Sequence, residues 1–195
     1  MEPSSRELIL ASTSPARRAI LEALGLRFRC EAPAFEESRP PGLAPSDLAE
    51  MLALGKAREV ARRFEEALVL GADQLLVCDG TVLTKPRDRE AAREQLRLLR
   101  GRVHVLLTGI ALVCEKSHAL RVEHELTRMT MRMVGDEELE RYLDTGEWEG
   151  CVGAYRVEGQ GLKLFQRIEG DLFNVRGLPA LRVLNALRDH GVPLF

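Results

Sequence analysis

The chain has 195 residues, of which 45% are hydrophobic and 30% charged, an ordinary globular balance with enough length for a sizeable core. A net charge of only −2 argues against a broad nucleic-acid-binding face, so any anion binding must be focal. No apolar run approaches the roughly 20 residues of a membrane span and no signal-peptide core is evident between Met1 and Leu8; Cys30, Cys78, Cys114 and Cys151 are too scattered for a zinc site and read as free thiols of a cytoplasmic protein.

In chain order, the pattern predicts a strand over Glu7 to Ala11, a polar turn over Ser12 to Pro15, and a helix from Ala16 to about Leu24. Pro15 suits the first helical turn and Gly25 suits a helix end. A second strand is expected over Leu26 to Glu31, then a loop from Pro33 to Pro45, which holds four prolines. Ser46-Asp47 reads as the cap of a helix reaching about Glu66, with Leu48, Leu52, Ala53, Ala57 and Val60 at helical spacing. Ala67 to Ala72 and Leu75 to Cys78 are short apolar strand-like runs, and Asp79-Gly80 is a hairpin signal into Thr81 to Leu83. Asp88 opens a helix ending near Gly101. Val103 to Val134 suits two or three strands, Asp136 to Asp144 a helix, Gly146 to Gly161 a glycine-punctuated loop, and Gly177 to His190 a closing helix. Helices alternate with strands at both ends and strands dominate the middle, so the fold class is α/β with a mixed sheet.

Polar residues at the ends of apolar strands are where such sheets usually bind ligands. In LASTSPARR, Leu10 to Arg18, the hydroxyls of Ser12 and Ser14, the free N–H groups of a helix start and the cation of Arg17 together make an anion cradle. In LGADQ, Leu70 to Gln74, the sheet would fix the Asp73 carboxylate as a metal ligand or base. In TKP, Lys85 sits on extended backbone before Pro86 and can aim its ammonium at phosphate. Lys56 lies mid-helix in LALGKAR. In AYRVEGQG, Ala154 to Gly161, glycines flank Gln160 so that backbone can approach a flat ligand, with Glu158 just before them. Taken singly, the first segment also describes a capped helix, and the others read by default as a turn aspartate, solvated lysines and a flexible loop.

Their order and spacing change that. LASTSPARRAILEALG, FEE at Phe35 to Glu37, LGKAR around Lys56, LGADQ, TKP, AYRVEGQG and RIEGDLFNVRGLPALRVL resemble the Maf family of nucleotide pyrophosphatases, in family order from about Leu8 to Leu187. Within that family the chain looks most like the 7-methyl-GTP pyrophosphatase subfamily, through Gln74 and Glu158. The resemblance implies a single Maf-like domain over residues 1–195, with a Maf/ITPase-like mixed elongated sheet in two merged α/β lobes around a central cleft. It also implies a homodimer, a Mg2+ or Mn2+ requirement, and hydrolysis of a nucleoside triphosphate to monophosphate and pyrophosphate; charge and apolar-run length add the expectation of neither nucleic acid nor membrane as partner. By motif position Asp73 matches the proton acceptor. Ser12, Arg17, Glu37, Lys56 and Lys85 match the polar and charged lining of the phosphate site, which Ser14 extends.

The chemistry suits these residues. Water must attack a phosphorus shielded by several negative charges, so positioning and charge neutralisation carry most of the catalysis. Arg17 would grip phosphate, Lys85 would stabilise the leaving pyrophosphate, Asp73 would orient or deprotonate the water, and Glu37 with Asp73 would hold the metal. A Glu158 carboxylate can accept from both N–H groups on the guanine edge, with Gln74 adding a contact. The subfamily pattern has Trp after the Ser-Pro pair; Ala16 stands there instead and offers no face for stacking a methylated guanine. Two other readings stand: a dTTP/UTP pyrophosphatase of the same family, and a nucleotide-binding regulator of cell division with little turnover.

Overall fold

The computed structural model describes residues 6–195; the polar stretch directly after Met1 lies outside them. Strand β1 (Leu8–Ala11) is buried along its length, and helix α1 (Pro15–Ala23) begins on Pro15. Gly25, at φ +70°, ends α1: its N–H donates to Glu22 O while the Leu26 N–H donates to Leu21 O. That closure uses Leu26, so the strand expected over residues 26–31 shrinks to β2 (Arg29–Cys30). Residues 33–44 form no helix or strand, as their prolines require.

Helix α2 (Pro45–Ala61) departs from expectation at both ends. Ala44, not Ser46 or Asp47, is the capping residue and supplies no side-chain bond, because Pro45 already starts the helix. The helix stops short of Glu66 because the Arg63 and Phe64 N–H groups bond three residues back, to Val60 O and Ala61 O, and turn the chain. Strand β3 (Leu68–Cys78) is one continuous strand where the apolar pattern suggests two. Asp79 and Gly80, at φ +48° and +77°, turn it into the antiparallel β4 (Thr81–Leu83).

Asp88 caps α3 (Arg89–Leu99) by accepting from the Ala91 N–H. Strands β5 (Val103–Cys114) and β6 (Ala119–Met131) follow, then α4 (Asp136–Leu143). Two 3-10 turns, Val152–Ala154 and Gln160–Leu164, break up the glycine-rich stretch. Strand β7 (Phe165–Glu169) and the short α5 (Leu172–Val175) are additions to the expected elements, and α6 (Ala180–Asp189) closes the chain. The strands form a mixed seven-stranded sheet in the order β2-β1-β3-β5-β6-β7, with β4 beside β3. β1 runs parallel to β2 and β3, whereas β6 and β7 are antiparallel. With the six α-helices of the described residues this is the α/β class expected.

The chain divides into two compact units, one comprising the chain up to Asp73, Thr108–Glu125 and Gly177–Phe195, the other Gln74–Leu107 and Leu126–Arg176. In the first unit, Leu8, Leu10, Ile20, Leu70, Val183 and Leu187 share one core cluster; Ile9, Ala53, Ala57, Val69 and Ala111 share another. The second cluster owes its shape to small residues. A Cβ at Gly71 would fall 2.3 Å from Ala53 O, and one at Gly109 would fall 2.3 Å from Ala49 O. Helix α2 therefore rests its Ala49, Ala53, Ala57 stripe directly on the backbone of β3 and β5. The second unit is packed around Leu76, Leu96, Leu106, Met129, Leu139 and Tyr155. Among the described residues the four cysteines are free, and no helix is long and apolar enough to cross a membrane.

Candidate active site

The close seating of α2 on β3 brings Lys56 to Asp73. Lys56 Nζ donates to Asp73 Oδ1 at 2.5 Å and lies 2.6 Å from Glu37 Oε1. The Lys56 and Asp73 side chains are only 14% and 11% exposed, so each charge needs the other. Asp73 lies inside β3 rather than at a strand end, a correction to the sequence reading; the ammonium above it is what lets a carboxylate sit in a buried strand.

Glu37 arrives from the proline-rich loop by way of Phe35. A Cβ at Gly55 would meet the Phe35 ring at 2.3 Å, so the ring lies against the bare backbone of α2 one residue before Lys56. Glycine inside a helix costs about 1 kcal/mol relative to alanine. Here it makes room for the ring that anchors FEE and puts Glu37 beside the ammonium.

The anion cradle is built on the same unit. Ser12 Oγ accepts from the Ser14 N–H at 3.1 Å, and Ser14 Oγ caps α1 by accepting from the Arg17 N–H at 3.4 Å. Arg17 Nε donates to Gly177 O at 2.9 Å, and its Nη1 donates to Ala72 O at 2.8 Å and to Ser12 Oγ at 3.4 Å. Two backbone carbonyls thus fix the plane of the guanidinium. Burial pulls the Arg17 pKa down from its ordinary value, against which the charges of Asp73 and Glu37 act. Arg17 therefore sits in the field of both carboxylates. Ala16 lies on the first turn of α1, and a groove beside the cradle is lined by Ser12, Thr13, Ser14, Arg18, Cys30 and Ala32. Sequence reasoning passed over Thr13 and Cys30 there, and neither residue type carries a signal by itself.

The remaining candidates belong to the second unit. Gln74 Nε2 donates to Asn174 O at 2.7 Å. Asn174 is fully buried and donates through Nδ2 to Leu106 O at 3.1 Å and Thr127 Oγ1 at 3.0 Å, which locks α5 where Gln74 can reach it. Asn174 was also missed; its only signal is a lone amide in the apolar run before Arg176-Gly177. Lys85 is exposed on the stretch after β4, and Glu158 is exposed in the EGQG segment. Burial raises the pKa of the Cys151 thiol, opposed by its bond to Arg156 and by the Lys85 charge and reinforced by Glu158, so these groups share one electrostatic neighbourhood. The structure thus gathers Ser12, Ser14, Arg17, Glu37, Lys56 and Asp73 in the first unit, with Gln74, Lys85 and Glu158 in the second.

Glu37 and Asp73 are hard oxygen donors that converge on one cationic position. Among the described residues no group of three or more His, Cys, Asp or Glu could cage a metal. Two carboxylates suit Mg2+, which keeps several waters and takes substrate phosphate oxygens as its other ligands.

Fold and site together define a class: an α/β protein with a focal anion cradle next to a half-buried lysine flanked by two carboxylates. A family model described as Maf-like protein matches residues 7–190, and the chain belongs to that family. It is 42% identical over 186 residues to the dTTP/UTP pyrophosphatase of Pelotomaculum thermopropionicum, covering 95% of this chain and 97% of that one. It is 45% identical over 193 residues to the 7-methyl-GTP pyrophosphatase of Rhizobium meliloti, covering 94% and 96%. Among solved structures, a HAM1 protein from Coxiella burnetii aligns at a TM-score of 0.51 and 15% identity over 95% of this chain and 100% of that one, a likeness of fold alone.

Proposed function

We propose that this nucleoside triphosphate pyrophosphatase, a hydrolase acting on acid anhydrides, works through the Lys56, Asp73 and Glu37 cluster and the Arg17 cradle. The observation that carries the reading is the contact of the largely shielded Lys56 ammonium with both carboxylates, in whose field Arg17 also sits. Water attacks the α-phosphorus, a Pα–O bond forms and the bond to the bridging oxygen breaks. The electron pair leaves with pyrophosphate and the proton of the water passes to an Asp73 oxygen. Lys56 holds that carboxylate in place. Ser12, Ser14 and Arg17 receive the polyphosphate, and each cation about 4 Å from a phosphate charge is worth on the order of 4 kcal/mol at an effective dielectric near 20. By motif position Lys85 stabilises the leaving pyrophosphate. Glu37 and Asp73 would hold a divalent ion, Mg2+ or Mn2+, which neutralises polyphosphate charge when bound.

For the base we assign 7-methyl-GTP or a related modified nucleotide, because the Glu158 carboxylate can accept from both N–H groups of the guanine edge, with Gln74 beside Asn174 as a further contact. A dTTP/UTP preference is the second reading, favoured by the relative from Pelotomaculum thermopropionicum and by Ala16 offering no aromatic face. Pyrophosphate release from 7-methyl-GTP, GTP, UTP and dTTP, with Mg2+ and with Mn2+, separates the two. The guanine reading expects 7-methyl-GTP to lead and Glu158→Gln to move the preference toward UTP; UTP turned over as well as 7-methyl-GTP by the unaltered chain overturns it. The same reading places the enzyme in the cytoplasm as a homodimer, a state that sedimentation at micromolar concentration reports directly.

A further inference from the structure

The segment that carries Glu158 is tied down by a residue with no role so far. Glu147 lies just beyond α4: its N–H donates to Thr145 Oγ1 at 3.2 Å, and the Thr145 hydroxyl donates to Tyr142 O at 2.7 Å. The Glu147 carboxylate reaches the EGQG segment, where Oε2 accepts from the Gly161 N–H at 3.1 Å. It also fills the space beside Gly159, where a Cβ would fall 2.5 Å from Oε1 and 2.6 Å from Oε2. Gly159 has φ −127°, outside the left-handed region, so backbone twist does not demand a glycine. A Cβ there would instead displace the carboxylate from its place. A second tether runs from α4 itself: the Tyr142 hydroxyl accepts from the Arg156 N–H at 3.1 Å. Glu158 lies between the two tethered positions.

We propose that Glu147 is a positioning residue for base selectivity, clamping the 156–161 segment so that Glu158 presents its carboxylate in one orientation. The inference rests on the reading of Glu158 as the base-selecting residue. A charge-assisted hydrogen bond to a backbone N–H is among the stronger single tethers available to a loop, and a glutamine in its place keeps an acceptor oxygen on a side chain of the same length. Alanine keeps neither. An alanine at Gly159 would push the carboxylate off the Gly161 N–H, which makes the two positions a coupled pair.

The test is the ratio of kcat/KM for 7-methyl-GTP to that for UTP in the full-length protein, with melting temperature measured alongside. Glu147→Ala should shift the ratio by about tenfold, mainly through KM; Glu147→Gln should restore most of it. Gly159→Ala should match Glu147→Ala, and the double variant should be no worse than either. A merely structural Glu147 would lower both substrates alike, and that result, or additive effects in the double variant, overturns the inference. A ratio that moves with Glu158→Gln but not with Glu147→Ala overturns it alone. A ratio that moves with neither removes the base reading beneath it as well, and one that moves only with Glu147→Ala overturns both Glu158 as the base-selecting residue and the clamp as its positioning device.

Discussion

Lys56 Nζ lies 2.5 Å from Asp73 Oδ1, and this contact joins a helix to the middle of a buried strand. It forms because Gly71, two residues before Asp73, lets α2 settle onto β3 with Ala53 O against bare backbone. Charge and packing therefore support one another. The pair lies where burial makes charges costly to separate, and Glu37 joins it through Lys56 Nζ at 2.6 Å.

Asp73→Asn should test the chemical role of the carboxylate. The amide keeps the shape and still offers an oxygen to Lys56, so the fold should persist. With metal saturating, kcat should fall by at least about 100-fold, the usual contribution of a positioned base. Pyrophosphate release measures this, and full activity in the variant would remove Asp73 from the reaction.

Gly55→Ala should separate stability from activity. Alanine favours the helix by about 1 kcal/mol, but its methyl group would strike the Phe35 ring and displace the loop that delivers Glu37. The expected result is a melting temperature unchanged or slightly higher, with a raised metal requirement and lower kcat. Unaltered metal dependence would show that Phe35 does not position Glu37.

His104, in the second unit, should give the protein an acid sensitivity. Its ring is buried 2.8 Å from the Tyr155 hydroxyl and next to the Phe165 ring, and burial pushes its pKa from 6.5 down to about 4. Between those values the unfolded chain binds more protons than the native one, so stability falls as pH drops through that window and is untouched above it. The loss at the low end is about 3 kcal/mol. Urea midpoints from pH 7.5 to 4.5 should show this slope, and His104→Phe combined with Tyr155→Phe should flatten it.

Ala16→Trp should sharpen preference for a methylated base. The residue lies on the first turn of α1, next to Pro15 at the cradle, and a tryptophan face attracts a cationic guanine by roughly 0.5–2 kcal/mol. The ratio of KM for GTP to that for 7-methyl-GTP should rise by about threefold or more. A ratio that stays fixed would mean the base does not lie near the start of α1.

Where local chemistry decides structure, the sequence was a good guide. Gly25, Asp79-Gly80 and Asp88 end, turn and start elements through their own backbone and side-chain preferences, and each does so where expected. Tertiary choices were not legible. β3 reads as two runs because Asp73 and Gln74 interrupt its apolar pattern, and their contacts with Lys56 on α2 and Asn174 on α5 help one strand accommodate them. β7 was missed because FQRIE is largely exposed and takes its extended form from pairing with β6. Among functional candidates, residues with a charge and a motif stood out. Phe35, Asn174 and Glu147 did not, because their work is to hold other groups.

The seat of α2 on the sheet has an evolutionary consequence. Gly71 and Gly109 have no group to offer a nucleotide, yet a single methyl at either would lift the helix that carries Lys56 away from the strand that carries Asp73. Such positions should tolerate drift as poorly as the ionic residues themselves. A variant there would look like a catalytic lesion in the assay while leaving every polar side chain of the cradle intact.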